Sequence, residues 1–234
     1  MEQIETNEQL FAPHQIQWNR QLSQRFWDYY SGRPGKQVEY FSSCRGESLL
    51  KLAASWRVPL RTGVVLDYAC GTGFLLEKLV QAGVRCAGCD FSTDSVEHVN
   101  RWLRDRRGFA GAEWIADLPS SFASDSFDAV FLVEVVEHLL DEDIDLTLSD
   151  VVRVLRPGGH ILFLTANMWD YGTMVARLVP NRLHAKVVRA VEGRDEQDTF
   201  PTAYRTNTRA AVERLAAGAG LRAREFEYLS QYPN

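Results

Sequence analysis

The chain has 234 residues, of which 45% are hydrophobic and 24% charged, so it can bury one sizeable core and has an ordinary globular composition. Its 26 basic and 31 scattered acidic residues give a net charge of −5, which argues against a nucleic-acid partner. No apolar stretch reaches membrane-spanning length, and the polar, acidic amino terminus lacks a signal core. We therefore expect a cytoplasmic protein without a membrane partner.

The amino-terminal quarter of the chain is predicted to be helical. Residues 8–60 are rich in aromatic side chains at near-helical spacing, are interrupted by Ser-Gly-Arg-Pro-Gly at 31–35, and contain a second predicted helix at 41–56. From residue 63 onward, short apolar or β-branched runs alternate with amphipathic segments of helical length. This alternation predicts an α/β fold, with a doubly wound, mostly parallel sheet and helices on both of its faces.

The elements of this sheet can be assigned in chain order. The predicted strands are 63–67, 84–90, 112–116, 127–133, 160–166 and 222–229, and the predicted helices are 73–82, 93–106, 143–155 and 207–219. Ser92 or Thr93 is expected to cap the second of these helices, and Thr206 or Thr208 the last. The Arg-Pro-Gly-Gly turn at 156–159 is expected to end the third helix sharply.

We interpret residues 1–234 as one domain. It would comprise an amino-terminal helical cap (1–60), a core (61–166), an insertion (167–206), and a carboxyl-terminal helix and strand (207–234). The insertion separates a strand from the next helix by roughly forty residues, which is longer than an ordinary connection and typical of a helical lid over a substrate. Its candidates for lining a pocket are Asn167, Trp169, Tyr171, His184, Tyr204 and Arg205.

Four cysteines are present, and two of them form a Cys-x-x-Cys sequence at Cys86 and Cys89. Both lie in a predicted buried strand, where positions three apart point to opposite faces of the sheet. A zinc pair or a redox dithiol usually lies on a turn or a helix start, and no second Cys-x-x-Cys follows. Buried, reduced thiols are therefore the favoured interpretation for the cysteines.

The strongest local motif is a strand that leads into a glycine-containing turn and then a helix. It reads Asp67-Tyr68-Ala69-Cys70-Gly71-Thr72-Gly73 after the apolar run at 64–66. Glycines let the backbone turn tightly and let a ligand approach closely. By itself the motif is weak, because dinucleotide-binding enzymes use a related turn.

This turn resembles motif I of the class I S-adenosylmethionine-dependent methyltransferases, commonly Asp-x-Gly-Cys-Gly-Thr-Gly, with Ala69 replacing the first glycine. That replacement suggests a slightly different backbone path. The third glycine of the dinucleotide pattern is missing after Gly73. The resemblance, which covers roughly 60–230, implies a Rossmann-like fold with S-adenosyl-L-methionine as cofactor and S-adenosyl-L-homocysteine as product. Ubiquinone-pathway O-methyltransferases are similar.

Acidic residues at further strand ends extend the resemblance. Asp90 ends the second strand, where a carboxylate can accept hydrogen bonds from both ribose hydroxyls, although it can also be read as an acid at a helix start. The resemblance implies that Asp117 and Leu118 meet the adenine, although Asp117 can also be a simple turn residue. The expected cofactor-binding residues are Asp67, Ala69, Gly71, Gly73, Asp90, Phe91, Asp117, Leu118 and Glu134.

The segment after the fourth strand carries the candidates for the reacting centre. His138 is the candidate general base for an alcohol or phenol acceptor. Glu134, Glu137 and His138 form a Glu-x-x-Glu-His set that is similar to metal-using O-methyltransferases. On a helical turn Glu134 would share a face with Glu137 or His138, as a divalent metal site requires. The favoured interpretation is that no metal is bound, with this set as the weaker alternative.

The predicted function is methyl transfer to an oxygen, or a nitrogen, of a small-molecule acceptor. Two alternatives remain: a degenerate cofactor-binding subunit that regulates a partner, and a nicotinamide-dependent oxidoreductase. The resemblance also implies a seventh, antiparallel strand, for which the sequence after Tyr228 leaves no room. We therefore expect either a truncated chain or a sheet edge completed by association, for example in a homodimer.

Overall fold

The computed structural model describes residues 19–31, 43–139, 141–165 and 206–229. Its helices and strands in these ranges are α1 (Arg20–Ser31), α2 (Ser43–Ser55), β1 (Val64–Tyr68), α3 (Phe74–Gln81), β2 (Arg85–Asp90), α4 (Thr93–Leu103), β3 (Phe109–Trp114), β4 (Phe127–Val133), a 3₁₀ turn (Val136–His138), α5 (Asp141–Val154), β5 (Leu155–Leu164) and α6 (Arg209–Gly218). In these ranges, none of the helices is long and apolar enough to cross a membrane.

The described strands form a five-stranded sheet in the order β3-β2-β1-β4-β5, and each neighbouring pair is parallel. The chain returns from β3 at one edge to β4 beside β1, so the strand order reverses between β1 and β4. In open α/β sheets, ligands bind at the carboxyl ends of the strands where the order reverses. The topology therefore places a binding site above Tyr68 and Val133.

Alternate residues of the strands contribute to two core layers, one on each face of the sheet. Val65, for example, packs with residues of α2, α3 and α4, whereas its neighbour Leu66 packs with residues of α5. Helices therefore cover both faces, and the predicted doubly wound α/β fold is confirmed. Ser92 and Thr208 cap α4 and α6, since each side-chain oxygen accepts a backbone N–H of the first helical turn.

Cys86 and Cys89 point to opposite faces of the sheet, as predicted, because Cys86 belongs to one core layer and Cys89 to the other. Both are buried free thiols, as is Cys70. Burial raises the pKa of the Cys86 thiol to about 12 and also raises the pKa of Cys89. The interpretation as buried, reduced thiols is confirmed for these three residues, whereas the Cys44 side chain lies outside the described part.

The prediction of strand 160–166 is wrong at its start. α5 ends at Val154, and Leu155 already pairs with Phe127, but the next pairing joins His160 to Ala129. Four residues, 156–159, therefore bulge from β5 where a separate turn was expected. Gly158 has φ +80°, a conformation that favours glycine.

The predicted strand 222–229 is not formed. Residues 221–229 carry no strand, and seven of the eight residues of the predicted strand are exposed, the exception being the half-buried Phe226. A strand needs a paired neighbour and a buried face, and this segment has neither in the described part of the chain. The Phe226 and Tyr228 rings instead contact each other at 5.1 Å, and the Arg209 guanidinium lies 5.5 Å from the Phe226 ring.

Two helices precede the sheet, in agreement with the predicted helical segment. α1 packs against α4, and α2 packs against α3. Asn19 caps α1 by accepting the backbone N–H of Leu22 at 2.9 Å. The predicted insertion lies outside the described residues, except for its last residue, Thr206.

Candidate functional site

A cavity of about 270 Å³ opens at the carboxyl ends of the strands, at the predicted position. Its walls come from α1, the turn after β1, the start of α3, the ends of β2 and β4, the segment after β3, and α5. Eight of the nine expected cofactor-binding residues line it: Asp67, Ala69, Gly71, Asp90, Phe91, Asp117, Leu118 and Glu134. A set of residues that is dispersed in sequence is therefore gathered around one space.

The turn after β1 has a left-handed backbone at three of its positions. Ala69 has φ +59°, Gly71 φ +50° and Gly73 φ +84°. Ala69 therefore adopts the conformation that a glycine would tolerate better, at a cost of about 1 kcal/mol. A Cβ on Gly71 would meet no protein atom within 4 Å, so the backbone at this position is open to the cavity.

Gly73 is placed differently from the other eight expected residues. It does not line the cavity, and a Cβ there would approach Val99 Cγ2 to 2.7 Å. Gly73 precedes α3 directly, so its missing side chain lets the start of α3 lie close to α4. This glycine supports packing of the helices beneath the site.

The Asp90 carboxylate is held by backbone donors. Gly71 N–H donates to Oδ2 at 2.8 Å and Ser92 N–H donates to Oδ1 at 2.9 Å, so the carboxylate joins the turns after β1 and β2. Burial raises the pKa of Asp90 to about 6, although these N–H groups favour the ionised form. Each carboxylate oxygen keeps lone pairs for additional donors, such as two adjacent hydroxyls.

Asp67 is the second buried carboxyl group of the site, with only 3% of its surface exposed. Burial, and to a smaller extent the neighbouring Asp90, raises the pKa of Asp67 to about 8. Two carboxyl groups at one cavity favour a cationic or hydrogen-bond-donating ligand, because such a ligand relieves the cost of ionising them.

Asp117 also lines the cavity, and 85% of its side chain is exposed. Arg20 of α1 donates to it at 3.5 Å and also to the largely buried Asp143 of α5. These carboxylates raise the pKa of Arg20, first through the hydrogen bond that Arg20 donates to Asp143. Arg20 thereby joins α1 to two other walls of the cavity.

Two further side chains of α1 line the cavity. Ser23 is 7% exposed, and its Oγ has no hydrogen-bond partner among the described residues. Trp27 contacts the His138 ring edge-on, with the centroids 5.8 Å apart. His138, the predicted base, is therefore at the cavity and half-buried beside an aromatic ring.

The three residues of the alternative metal set do not converge. Glu134 and His138 line the cavity, whereas Glu137 is buried and does not. Glu134 also precedes the 3₁₀ turn and has φ +55°, so the expected shared helical face is wrong. Among the residues that the structure describes, no group of three acidic, histidine or cysteine side chains is arranged to hold a metal ion.

A buried network supports the segment that carries Asp117 and Leu118. Asp150 of α5 accepts the Tyr68 hydroxyl at 2.9 Å and the Ser120 backbone N–H at 3.1 Å, and it pairs with Arg153. Arg153 also donates to the Ser120 carbonyl at 2.9 Å. Although burial opposes it, these hydrogen bonds lower the pKa of Asp150, so the carboxylate stays ionised.

Sequence reasoning missed several cavity residues. Arg20, Ser23 and Trp27 are spaced by three and four residues, so a helical stripe across α1 could have been recognised. Asp143 and Thr147 likewise lie four residues apart on α5. The candidate acceptor residues Asn167, Trp169, Tyr171, His184, Tyr204 and Arg205 lie outside the described part of the chain.

The chain is similar to known methyltransferases. Residues 66–163 match the model of the methyltransferase domain. Curated relatives include ubiquinone biosynthesis O-methyltransferases of Brucella ovis, 34% identical over 57% of this chain and 57% of the relative, and of Mesorhizobium japonicum, 31% identical over 44% and 41%. The chain thus spans less than two thirds of these relatives' length.

Solved structures share the fold. A SAM-dependent methyltransferase of Aquifex aeolicus is similar over 88% of this chain and 90% of its own, with a TM-score of 0.53 and 14% identity. A SAM-dependent methyltransferase of Methanosarcina mazei covers 71% of this chain and 82% of its own, with a TM-score of 0.52 and 21% identity. At such identities the likeness concerns the fold.

Proposed function

We propose that this chain, whose residues 66–163 match the methyltransferase domain, transfers the sulfonium methyl group of S-adenosylmethionine to an oxygen or nitrogen of a small molecule. The observation that carries this proposal is the pair of buried carboxyl groups, Asp67 and Asp90, around the open backbone of Gly71. Oxygen is the preferred acceptor atom, because the curated relatives are named O-methyltransferases.

The residues of the cavity fit S-adenosylmethionine by their chemistry. Asp90 would accept the ribose hydroxyls, because its two oxygens are fixed by backbone N–H groups and retain free lone pairs. Asp67 would lie near the positive charge of the cofactor, which would offset the cost of ionising a buried carboxyl group. Leu118 and Phe91 would supply apolar contacts to the adenine, beside Asp117.

The bound cofactor supplies an already activated methyl group, so the chain's main contribution is to orient the acceptor and exclude water. His138 is the candidate for removing the proton of an acceptor hydroxyl. It lines the cavity, and Trp27 restricts the space on one side of its ring. A neutral imidazole nitrogen can accept this proton near neutral pH. We propose that no metal takes part.

The function is tested by incubating the purified chain with methyl-labelled S-adenosylmethionine and a panel of phenols, catechols and amines. We expect label in a phenol or catechol, with an equal amount of S-adenosylhomocysteine. Turnover should survive treatment with a chelator. Loss of turnover that returns with a divalent ion would instead support a metal-dependent reaction.

The two rival functions give different results in the same preparation. A regulatory subunit would bind S-adenosylhomocysteine but would label no acceptor. A nicotinamide-dependent oxidoreductase would bind NADH and not the sulfur compounds. Either pattern would contradict methyl transfer by this chain.

A further inference from the structure

We propose that α1 is part of the cofactor site, with the Ser23 hydroxyl bonding to the bound S-adenosylmethionine and with Arg20 and Asp28 holding the helix across the cavity. This inference rests on the proposed function. It adds a binding residue from outside the family-matched segment 66–163. Ser23 is the binding residue of this proposal, whereas Arg20 and Asp28 are positioning residues.

The argument for Ser23 is that its buried hydroxyl makes no hydrogen bond with the described residues. Its side chain lines the cavity and is 7% exposed, and its Oγ has no partner among the described residues. A buried hydroxyl without a partner is unfavourable in the free protein, so a ligand that supplies a donor or an acceptor restores a hydrogen bond. The cofactor carries several such groups, including hydroxyls, an amino group and a carboxylate.

Polar contacts near both ends hold α1 over the cavity. Arg20, in the first turn, pairs with Asp143 and Asp117. Asp28, in the last turn, accepts the Ser92 hydroxyl at 2.7 Å. Between them, Phe26 is buried to 2% exposure and anchors the helix by its apolar side chain. Contacts of α1 both before and after Ser23 therefore fix the position of this residue.

The contact at Asp28 also links α1, through Ser92, to the predicted ribose-binding carboxylate of Asp90. Ser92 donates its hydroxyl to Asp28, accepts the Ser95 N–H at 3.2 Å, and donates its own N–H to Asp90 at 2.9 Å. One residue thus joins α1, the start of α4 and Asp90. Removing the Asp28 carboxylate should leave the other two hydrogen bonds in place.

The decisive variant is Ser23→Ala, compared with Arg25→Ala, which changes an exposed residue of the same helix. Ser23→Ala removes an unpaired buried hydroxyl, so the ligand-free protein should unfold at the same or a higher temperature. Its affinity for S-adenosylhomocysteine, measured by titration calorimetry, should fall about 5-fold. Arg25→Ala should change neither quantity. A structural role of Ser23 would instead reduce the unfolding temperature.

The positioning residues are tested by the rate at which labelled S-adenosylmethionine leaves the protein in excess unlabelled S-adenosylhomocysteine. Asp28→Ala should raise this rate about 5-fold. Arg20→Met combined with Asp143→Asn removes the ion pair without leaving a buried charge unpaired, since Asp117 is exposed. This double variant should also raise the dissociation rate and should reduce the dependence of that rate on salt.

The results separate this inference from the proposed function. If the unmodified protein binds neither sulfur compound, the proposed function fails. If it binds them, but Ser23→Ala keeps full affinity and both positioning variants keep the original dissociation rate, only the role of α1 is overturned.

Discussion

The two halves of the cavity are built in different ways. On the side of β1 and β2, the backbone N–H groups of Gly71 and Ser92 donate to the Asp90 carboxylate, which joins the turn after β1 to the turn after β2. On the side of β4, His138 reaches the cavity beside Trp27, which lies more than a hundred residues earlier in the chain. Local sequence therefore specifies the first side, whereas the second depends on contacts between distant segments.

The helices at the β5 edge of the sheet and near β1 also differ in how well they are packed. Beyond β5, a groove of about 630 Å³ is lined by residues 158–165 of the strand region and by the segment 206–229. α6 has no fully buried residue, although Leu215 packs partly against the core. By comparison, α3 buries Leu75, Leu76 and Leu79. The strands next to the glycine turn thus have the better-packed helices.

The largest effect is expected where distant segments meet, at Asp150. Asp150→Asn should weaken its pairing with Arg153 and disturb the hydrogen bonds from Tyr68 and Ser120, which should reduce the free energy of unfolding by about 3 kcal/mol. Chemical denaturation measures this change. Asp145→Ala, at an exposed position of the same helix, is the control and should have little effect. Equal stability of the two variants would show that the network contributes little.

The variant His138→Ala tests the β4 side of the cavity, where segments distant in sequence meet. If His138 is the base for a hydroxyl acceptor, His138→Ala should reduce kcat about 100-fold and leave the affinity for S-adenosylhomocysteine unchanged. Steady-state kinetics and calorimetry on the same preparation separate these effects. A rate close to that of the unmodified enzyme, with the fold intact, would assign the His138 ring to packing against Trp27.

The variant Asp90→Asn tests the side of the cavity at β1 and β2, which local sequence specifies. Asp90→Asn should weaken S-adenosylhomocysteine binding about 30-fold, because it replaces the charged acceptor of two backbone N–H groups and puts an amide donor into the site. The matched variant Asp94→Ala changes an exposed acid in the first turn of α4 and should bind normally. Similar affinities of the two variants would contradict the role of Asp90 in the site.

A change of pH should have a smaller effect on the free energy of unfolding. Burial raises the pKa to about 8 at Asp67 and to about 6 at Asp90, both above the ordinary aspartate value of 3.8. The ligand-free protein therefore binds more protons than its unfolded chain between about pH 4 and pH 8. These two groups should therefore make the folded state less stable as pH rises from about 4 to about 8.

Cofactor binding should depend on pH in the opposite sense. A positively charged ligand lowers the pKa of Asp67 and thus releases a proton, so affinity should increase about 10-fold as pH rises from 6 to 8. Calorimetry in buffers of different ionisation enthalpy counts the released protons. Proton uptake on binding would contradict this assignment.

Much of the fold follows from sequence because its signals are local. The runs at β1, β2 and β4 alternate between the two core layers, and the acidic residues at or near the strand ends meet at one cavity. The segment 222–229 was mispredicted because alternation alone cannot supply a pairing neighbour. The helical spacing of Arg20 and Ser23 is visible in the sequence, but their place at the cavity depends on α1 crossing the strand ends, which only tertiary contacts determine.

The central claim is tested most directly by calorimetric titration of the purified protein with S-adenosylmethionine, S-adenosylhomocysteine and NADH. We predict that both sulfur compounds bind at a single site, that Asp90→Asn weakens both, and that NADH does not bind. Binding of NADH without either sulfur compound would contradict the assignment and favour a nicotinamide-dependent oxidoreductase.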